Sequence, residues 1–213
     1  MKKLIILFTS ILLVSCGGKS PESKQADKAQ KELDSISKSL TQEIEDISNN
    51  ILKDDIDYTK TDCAYWVETK TDAVTGKTKT KAKETIVFGK TLIEGKRYKL
   101  GKNNIELSLR LDKNDVVFQF HIVGFGACAD DKDKINILFN DNTRLELRNE
   151  ADYNCDGIIA VWLPKNSKKL KELMSKTIKT IRPTMNNEYI DIECIENSST
   201  HLNNAIKCLT ETK

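Results

Sequence analysis

The chain has few histidines and no motif typical of a catalytic or zinc site. It contains only two histidines, His121 and His201, and they are far apart. No Cys-x-x-Cys pair occurs, so the ligand spacing typical of a structural zinc site is missing. No serine has the setting of a nucleophile elbow, and no glycine-rich loop leads into a predicted helix. We therefore interpret both histidines as structural, and no motif indicates a catalytic activity.

An excess of charge of one sign is also lacking. The chain has 34 Lys and Arg residues against 32 Asp and Glu residues, and Lys2 and Lys3 account for the difference. Because a nucleic-acid-binding domain needs a basic field, we expect no nucleic-acid partner. Aromatic residues make up 6% of the chain. Trp66 and Trp162 could form a platform for a sugar, but with so few aromatics we interpret them as core residues.

Long apolar runs are absent except at the start, where residues 4–14 follow Lys2 and Lys3. This run is shorter than the roughly 20 residues of a membrane-spanning helix, and it fits the apolar region of a secretory signal. It ends in Leu13-Val14-Ser15-Cys16, followed by two glycines. This segment resembles the lipobox of bacterial lipoproteins. The resemblance implies cleavage before Cys16, a diacylglycerol on its thiol with further acylation such as palmitate, and anchoring in the cell envelope.

Two further segments are loosely similar to lipoproteins of Bacteroidetes-type bacteria. They are Cys16-Gly17-Gly18-Lys19 and Thr177-Ile178-Lys179-Thr180-Ile181-Arg182, which follows a predicted helix. The similarity implies a place at the outer membrane, with the domain facing the periplasm or the cell surface. It implies no particular activity.

Behind the leader, the pattern divides the chain into a signal peptide (1–15), a lipidated tether (16–23), a long amphipathic helix or stalk (24–55) and a folded domain (58–213). Apolar residues recur every three or four positions through the helix, at Ala26, Ala29, Leu33, Ile36, Leu40, Ile44, Ile47 and Ile51. Thirty helical residues, 24–53, would reach about 45 Å. The near-heptad spacing allows either self-association of this helix or packing against its own domain.

In the folded domain the apolar period becomes two, which predicts strands. We expect strands at 63–69, 77–87, 97–100, 105–111, 116–123, 135–139, 144–147, 158–163, 177–182 and 188–194, and helices at 168–176 and 200–209. The fold class is therefore α+β, an antiparallel meandering sheet with a C-terminal helix-strand-strand-helix, preceded by the long helix. The alternating lysines at 77–83 form either a basic ridge for an acidic partner or a solvated edge strand.

Five cysteines remain once Cys16 is assigned to lipid. An exported chain sits where disulfides persist, so we expect two bridges and one free thiol. If the strands alternate in direction, the loops that carry Cys128 and Cys155 emerge at the same end of the sheet. We therefore predict a Cys128–Cys155 disulfide. Cys194–Cys208 is the second candidate, with Cys63 either unpaired or bonded to one of these four cysteines.

The loop at residues 152–158 resembles the first half of an EF-hand-type calcium loop. Asp152, Asn154 and Asp156 would supply side-chain oxygens, followed by a glycine at the sharp turn. The twelfth position is Leu163, where that family has a bidentate Glu. Ligands from the neighbouring loop, namely Asp130, Asp131 and Asp133, could complete the site. The alternative is a polar turn whose residues serve only its backbone geometry. No other cofactor is implied.

These features predict a lipid-anchored envelope protein whose domain binds a protein partner without catalysis. The first alternative is a secreted-side hydrolase, because a pair of catalytic carboxylates leaves no sequence signature. The second is an inhibitor or immunity-type lipoprotein that neutralises an envelope toxin.

Overall fold

The computed structural model describes residues 30–41 and 51–212. The signal peptide, Cys16 and the tether therefore lie outside the described residues. Contacts divide the chain into two compact units, residues 1–49 and 50–213. No helix in the described part of the chain is long and apolar enough to cross a bilayer.

In the first unit, helix α1 spans residues 30–41. Leu33, Ile36 and Leu40 lie along one face and are 52–61% exposed. The rest of the helix predicted over 24–53 lies outside the described residues, apart from its end, where the prediction is wrong. Ile51–Lys53 is a strand (β1), and it pairs antiparallel with Arg97–Lys99. Main-chain pairing with the long strand at 97–112 replaces the last helical turn.

The second unit is an α+β domain of two antiparallel sheets, so the predicted fold class is confirmed, although its strands divide between two sheets. The first sheet has the order β2-β3-β5-β6-β9, with β1 and β4 also paired to β5. The second has the order β11-β10-β7-β8, with β12 also paired to β10. The strands are β2 Val67–Thr71, β3 Thr78–Ala82, β4 Ile86–Glu94, β5 Arg97–Asp112, β6 Asp115–Val123, β7 Lys134–Phe139, β8 Arg144–Arg148, β9 Ile158–Pro164, β10 Ile178–Met185, β11 Glu188–Tyr189 and β12 Ile192–Glu193.

The predicted meander divides at Gly124, where the chain leaves the first sheet. Gly124 has a φ of +84°, and a Cβ at this position would lie 2.5 Å from the carbonyl oxygen of Lys102. Only glycine fits this close approach. The loop that follows carries the chain to β7, the first strand of the second sheet.

One hydrophobic core joins the two sheets to the helices α3 (Lys168–Ser175) and α4 (Glu196–Glu211). Ser167 caps the N-terminus of α3, because its Oγ accepts a hydrogen bond from the backbone N–H of Leu170 at 3.2 Å. Helix α4 directs Leu202, Ile206 and Leu209, spaced by three or four residues, into this core. Both helices confirm the predicted positions of the C-terminal helices.

Five strand predictions are wrong in detail. The segments predicted at 77–87 and 188–194 each divide into two strands, β3 with β4 and β11 with β12. Cys63–Trp66 is a turn of helix (α2), because the Asp62 side chain caps its N-terminus by accepting from Ala64 N at 2.9 Å. The two strands expected at 97–111 are one strand of 16 residues. The strand predicted at 177–182 continues through Pro183 as part of β10. Pro183 pairs with a residue of β7 on one side and with no residue of β11 or β12 on the other.

The lysine row does not protect a sheet edge, so that interpretation is wrong. Its strand β3 lies between β2 and β5, and β2 forms the end of the sheet. Lys79 and Lys81 point to solvent, and Lys81 Nζ lies 3.3 Å from Glu68 Oε1 on β2.

Candidate functional site: the Asp54–Lys90 pocket

A pocket of about 530 Å³ lies in the second unit where residues 53–56, α2, β4 and α4 meet. We call it the Asp54–Lys90 pocket. The Cys63–Cys208 disulfide connects α2 to α4 beside it and spans 145 residues of sequence. The pocket is lined by Lys53, Asp54, Asp55, Ile56, Tyr65, Trp66, Lys83, Glu84, Lys90 and His201.

Asp54 is a buried carboxylate with fixed hydrogen bonds. Its Oδ2 accepts from the Tyr58 hydroxyl at 2.5 Å, and its Oδ1 accepts from the backbone N–H of Ile56 at 3.2 Å. Burial and the neighbouring Asp54 carboxylate both raise the pKa of Tyr58, so the phenol remains protonated and continues to donate. The residue is held in place by its own backbone N–H, which donates to Lys96 O at 3.0 Å.

Lys90 brings a poorly paired ammonium group into the same pocket. Its side chain is 11% exposed, and its Nζ lies 4.0 Å from Asp54 Oδ2 and 5.6 Å from the centre of the Tyr98 ring. Burial lowers the pKa of Lys90, and the Asp54 charge opposes this only in part. Among the described residues, Lys90 Nζ has an ion pair and a ring contact but no hydrogen-bond acceptor within range.

His201, expected to be structural, also lines the pocket. It is 3% exposed, and its ring centre lies 5.3 Å from that of Trp66 and 6.4 Å from that of Tyr58. Burial, together with the positive charge of Lys90, lowers the pKa of His201 to about 4. The imidazole is therefore neutral at pH 7, with one nitrogen as donor and one as acceptor. Neither nitrogen has a hydrogen-bond partner within the described segments.

Aromatic side chains form one wall of the pocket. Trp66 is 2% exposed and its Nε1 donates to Lys60 O at 3.0 Å. The Tyr65 ring meets it edge-on with 5.0 Å between centres, and the Tyr65 hydroxyl accepts from Asp57 N at 2.7 Å. The rings in contact with Trp66 are those of Tyr58, Tyr65 and His201, so no joint platform with Trp162 forms in the described chain.

The other predicted site lies at the loops that carry Cys128 and Cys155. These cysteines form a disulfide, as the strand directions predicted. Beside it, Ala129 and Asn154 exchange two backbone hydrogen bonds of 2.7 and 3.0 Å. The two loops therefore lie side by side, and we call them the paired loops.

Three of the six side chains proposed for calcium already accept hydrogen bonds within the paired loops or from residues near them. Asp130 Oδ1 accepts from Lys132 N at 2.8 Å. Asn154 Oδ1 accepts from Ile158 N at 3.0 Å, and Asn154 Nδ2 donates to the carbonyl oxygen of Ile158 at 2.9 Å. Asp133 is buried, and its two oxygens accept from Asp130 N and Asn186 N.

The remaining calcium candidates, Asp131, Asp152 and Asp156, are exposed. Residues 30–41 and 51–212 contain no group of three or more His, Cys, Asp or Glu side chains arranged to hold a metal ion. Calcium binding stays a prediction.

Cys194 is the free cysteine, so the predicted Cys194–Cys208 disulfide is wrong. Helix α4 runs from Glu196 to Glu211 and carries Cys208 about 18 Å from the end of the preceding strand. There it meets Cys63, the alternative partner that the sequence left open. Burial raises the pKa of the Cys194 thiol to about 12, so the thiol is protonated and unreactive at neutral pH.

The sequence interpretation missed the Asp54–Lys90 pocket as a site. Its polar residues come from β1 and the segment after it, from α2, from the β3–β4 connection, from β4 and from α4, and no local spacing relates them. One signal was present: three aromatic residues, Tyr58, Tyr65 and Trp66, lie close together in a chain with few aromatics. His121, by contrast, is exposed on β6, where its Nδ1 lies 3.6 Å from Glu106 Oε2.

Comparisons with models of protein families, with curated proteins and with solved structures found no match to this chain.

Proposed function

We propose that the protein is a lipid-anchored protein of the bacterial cell envelope that binds a ligand or partner in the Asp54–Lys90 pocket without transforming it. The anchoring part rests on the sequence alone: two lysines, a short apolar run, and Leu13-Val14-Ser15-Cys16 followed by glycines. Lipid at Cys16 would hold the chain at the outer membrane. The helical region behind it would then separate the domain from the bilayer, or associate with a second copy.

The two disulfides support an exported location. Disulfides persist in oxidising compartments and are rare in the cytosol of most bacteria. Cys63–Cys208 connects two ends of the folded domain, and Cys128–Cys155 connects the paired loops. The unpaired Cys194 is half-buried, and its raised pKa keeps the thiol protonated, so it competes poorly for these bonds.

The observation that carries the binding function is the state of Lys90 and His201. The side chains of Lys90 and His201 are largely buried, yet their nitrogen atoms have no hydrogen-bond partner among the described residues and both residues line the pocket. A ligand in the pocket would supply acceptors and donors to these nitrogens in place of water.

The hydrogen bonds of Asp54 favour binding over catalysis. Tyr58 and the Ile56 N–H donate to its two oxygens, so both oxygens already have fixed protein partners. A catalytic carboxylate must instead reach the substrate proton that it transfers. The hydrolase alternative would need a second carboxylate close to Asp54, and the pocket offers Asp55, which pairs with Lys53 at 3.1 Å, and Glu84.

Labelling of intact cells tests the anchoring. Cells that express the full chain are fed an alkyne analogue of palmitate, and the protein is isolated and probed. We expect label on the wild-type chain and on Cys194→Ser, which keeps Cys16, but none on Cys16→Ser. An unlabelled wild-type chain would contradict the lipid anchor.

Crosslinking in the same cells tests the binding. We expect specific crosslinked partners with the wild-type chain and fewer with Cys16→Ser, which is no longer held at the membrane. Loss of those partners in Lys90→Met would assign them to the pocket. A wild-type chain without any specific partner would sink the binding function, and one partner encoded next to this gene would favour the inhibitor alternative.

A further inference from the structure

We propose that the Asp54–Lys90 pocket takes a neutral, polyhydroxylated ligand, a sugar residue, rather than a small anion or cation. This inference rests on the proposed function, because it names the chemistry of the ligand that the same pocket would bind. Charge, hydrogen-bonding capacity and shape each support it.

Charge is the first argument. Three lysines and three carboxylates line the pocket, and His201 adds no charge at pH 7. An anion placed at Lys90 Nζ would meet the Asp54 carboxylate, which lies 4.0 Å from that nitrogen. A cation placed at Asp54 would meet Lys90 in the same way. Like charges at such distances repel strongly in a partly desolvated site, so the lining disfavours either sign.

Hydrogen-bonding capacity is the second argument. Lys90 Nζ can only donate, the neutral His201 ring can donate once and accept once, and the Tyr65 hydroxyl still has a proton to donate after it accepts from Asp57 N. Asp54, by contrast, can only accept. A hydroxyl group both donates and accepts, so it suits every member of this mixed set. A carboxylate ligand could satisfy only the donors, and an ammonium ligand only the acceptors.

Shape is the third argument. Ile56 and the rings of Tyr65 and Trp66 add apolar surface to a lining that also carries charged groups. A sugar ring has an apolar face of C–H groups and a rim of hydroxyls, so it can contact both. The volume of about 530 Å³ lies within the range of roughly 300–1,000 Å³ for small-molecule sites. The inner groups are well desolvated, since the side chains of Lys90 and Asp54 are 11% and 4% exposed.

A glycan array tests the proposal. The full chain carrying Cys16→Ser is used, so that no sugar-based detergent is needed. It is applied to neutral and acidic immobilised glycans, and binding to the free form of the strongest glycan is then measured by calorimetry. Glutamate and choline serve as the small anion and cation. We expect a neutral glycan to bind, and glutamate and choline to give no heat.

Variants of the same chain assign the binding to this pocket. Lys90→Met should weaken glycan binding by about tenfold or more, the loss expected for a hydrogen bond to a charged group. His201→Phe, which removes both nitrogens but keeps a ring, should also weaken it. Lys207→Met is the matched control, because Lys207 is exposed on α4 and does not line the pocket. The Lys207→Met chain should bind the glycan with unchanged affinity. Thermal unfolding of each variant shows that it is folded.

Three results would overturn the sugar inference. The first is an array with no glycan bound above the signal of the Lys90→Met chain. The second is glycan binding that neither Lys90→Met nor His201→Phe weakens. The third is Lys90-dependent binding of glutamate or choline in place of glycans. In that case the pocket would still be a binding site, so the sugar inference would fail while the proposed function would stand.

Discussion

The Asp54–Lys90 pocket and the paired loops are two polar regions, each with its own disulfide. They use their polar side chains in opposite ways. In the paired loops, Asn154 makes three side-chain hydrogen bonds to backbone groups, and Asp133 makes two. In the pocket, Lys90 and His201 make none with the described residues. The paired loops are rich in Asp and Asn, which suggest a ligand, but Asn154 and Asp133 hydrogen-bond to backbone groups instead.

A polar cluster in the sequence therefore does not by itself predict a binding site. Asn and Asp are common in loops because their side chains replace missing main-chain partners. A binding site forms where the fold leaves polar side chains that line a pocket without a hydrogen-bond partner in the protein. That condition depends on residues far apart in the chain, and Lys90 and His201 meet it within the described residues.

Removal of the two disulfides should show the largest difference between these regions. In the chain-entropy model, a loop of 145 residues contributes about 5 kcal/mol and a loop of 27 residues about 3.5 kcal/mol. Cys63→Ala/Cys208→Ala should therefore lower the free energy of unfolding more than Cys128→Ala/Cys155→Ala. Urea unfolding measures both. Cys194→Ala, which opens no loop, is the control, and the opposite ranking of the two pairs would contradict the model.

Protonation of His201 should make the pocket sensitive to acid. The pKa of His201 is about 4 in the folded protein and 6.5 is its ordinary value, so below pH 6.5 the unfolded chain binds more protons. Stability is then lost as the pH falls from 6.5 to 4, at about 1.4 kcal/mol for each pH unit and roughly 3 kcal/mol altogether.

The measurement is the free energy of unfolding at several pH values between 7 and 4, for wild type and for His201→Phe. The variant should lose this part of the pH dependence. His121→Gln is the control, because His121 is the other histidine of the chain and lies exposed on β6. Equal pH dependence in wild type and His201→Phe would show that the imidazole is not held neutral.

Local patterns predicted the elements whose neighbours are close in sequence. Alternating apolar residues located β6 and the β7–β8 hairpin, and the spacing of Leu202, Ile206 and Leu209 located α4. The direction of successive strands was enough to predict Cys128–Cys155, because its two loops lie only 27 residues apart. These predictions needed no knowledge of how the two sheets pack.

Long-range packing decided what the sequence could not predict. Cys63–Cys208 depends on where α4 lies against α2, across 145 residues. The pocket depends on the same packing, which brings Lys90 of β4 and His201 of α4 to Asp54. The helical turn at Cys63–Trp66 was overlooked although Asp62 is a typical N-cap residue, because alternation of apolar residues dominated the interpretation.

Single substitutions should show the same contrast with a smaller effect. Asn149 is buried beside the paired loops; its Oδ1 accepts from Ala151 N and Ala160 N, and its Nδ2 donates to Asp130 O. Asn149→Ala leaves these groups unpaired and should cost about 2 kcal/mol of unfolding free energy. Lys90→Met should cost nothing or stabilise the fold, because the pocket disfavours the charge it removes. A loss in Lys90→Met equal to that in Asn149→Ala would refute the distinction.

Calcium binding has the smallest expected effect, and it directly tests the contrast between the pocket and the paired loops. If the exposed carboxylates of Asp152 and Asp156 bind calcium with the millimolar affinity typical of extracellular sites, 5 mM calcium should stabilise the fold by about 1 kcal/mol. The test is thermal unfolding with and without calcium, with magnesium as the control ion, for wild type and Asp152→Asn/Asp156→Asn. A calcium-specific shift that the double variant loses would make the paired loops a second site. If calorimetry gives no heat with millimolar calcium, the calcium prediction is wrong. The side chains of Asn154 and Asp133 then serve only the backbone hydrogen bonds that they already make.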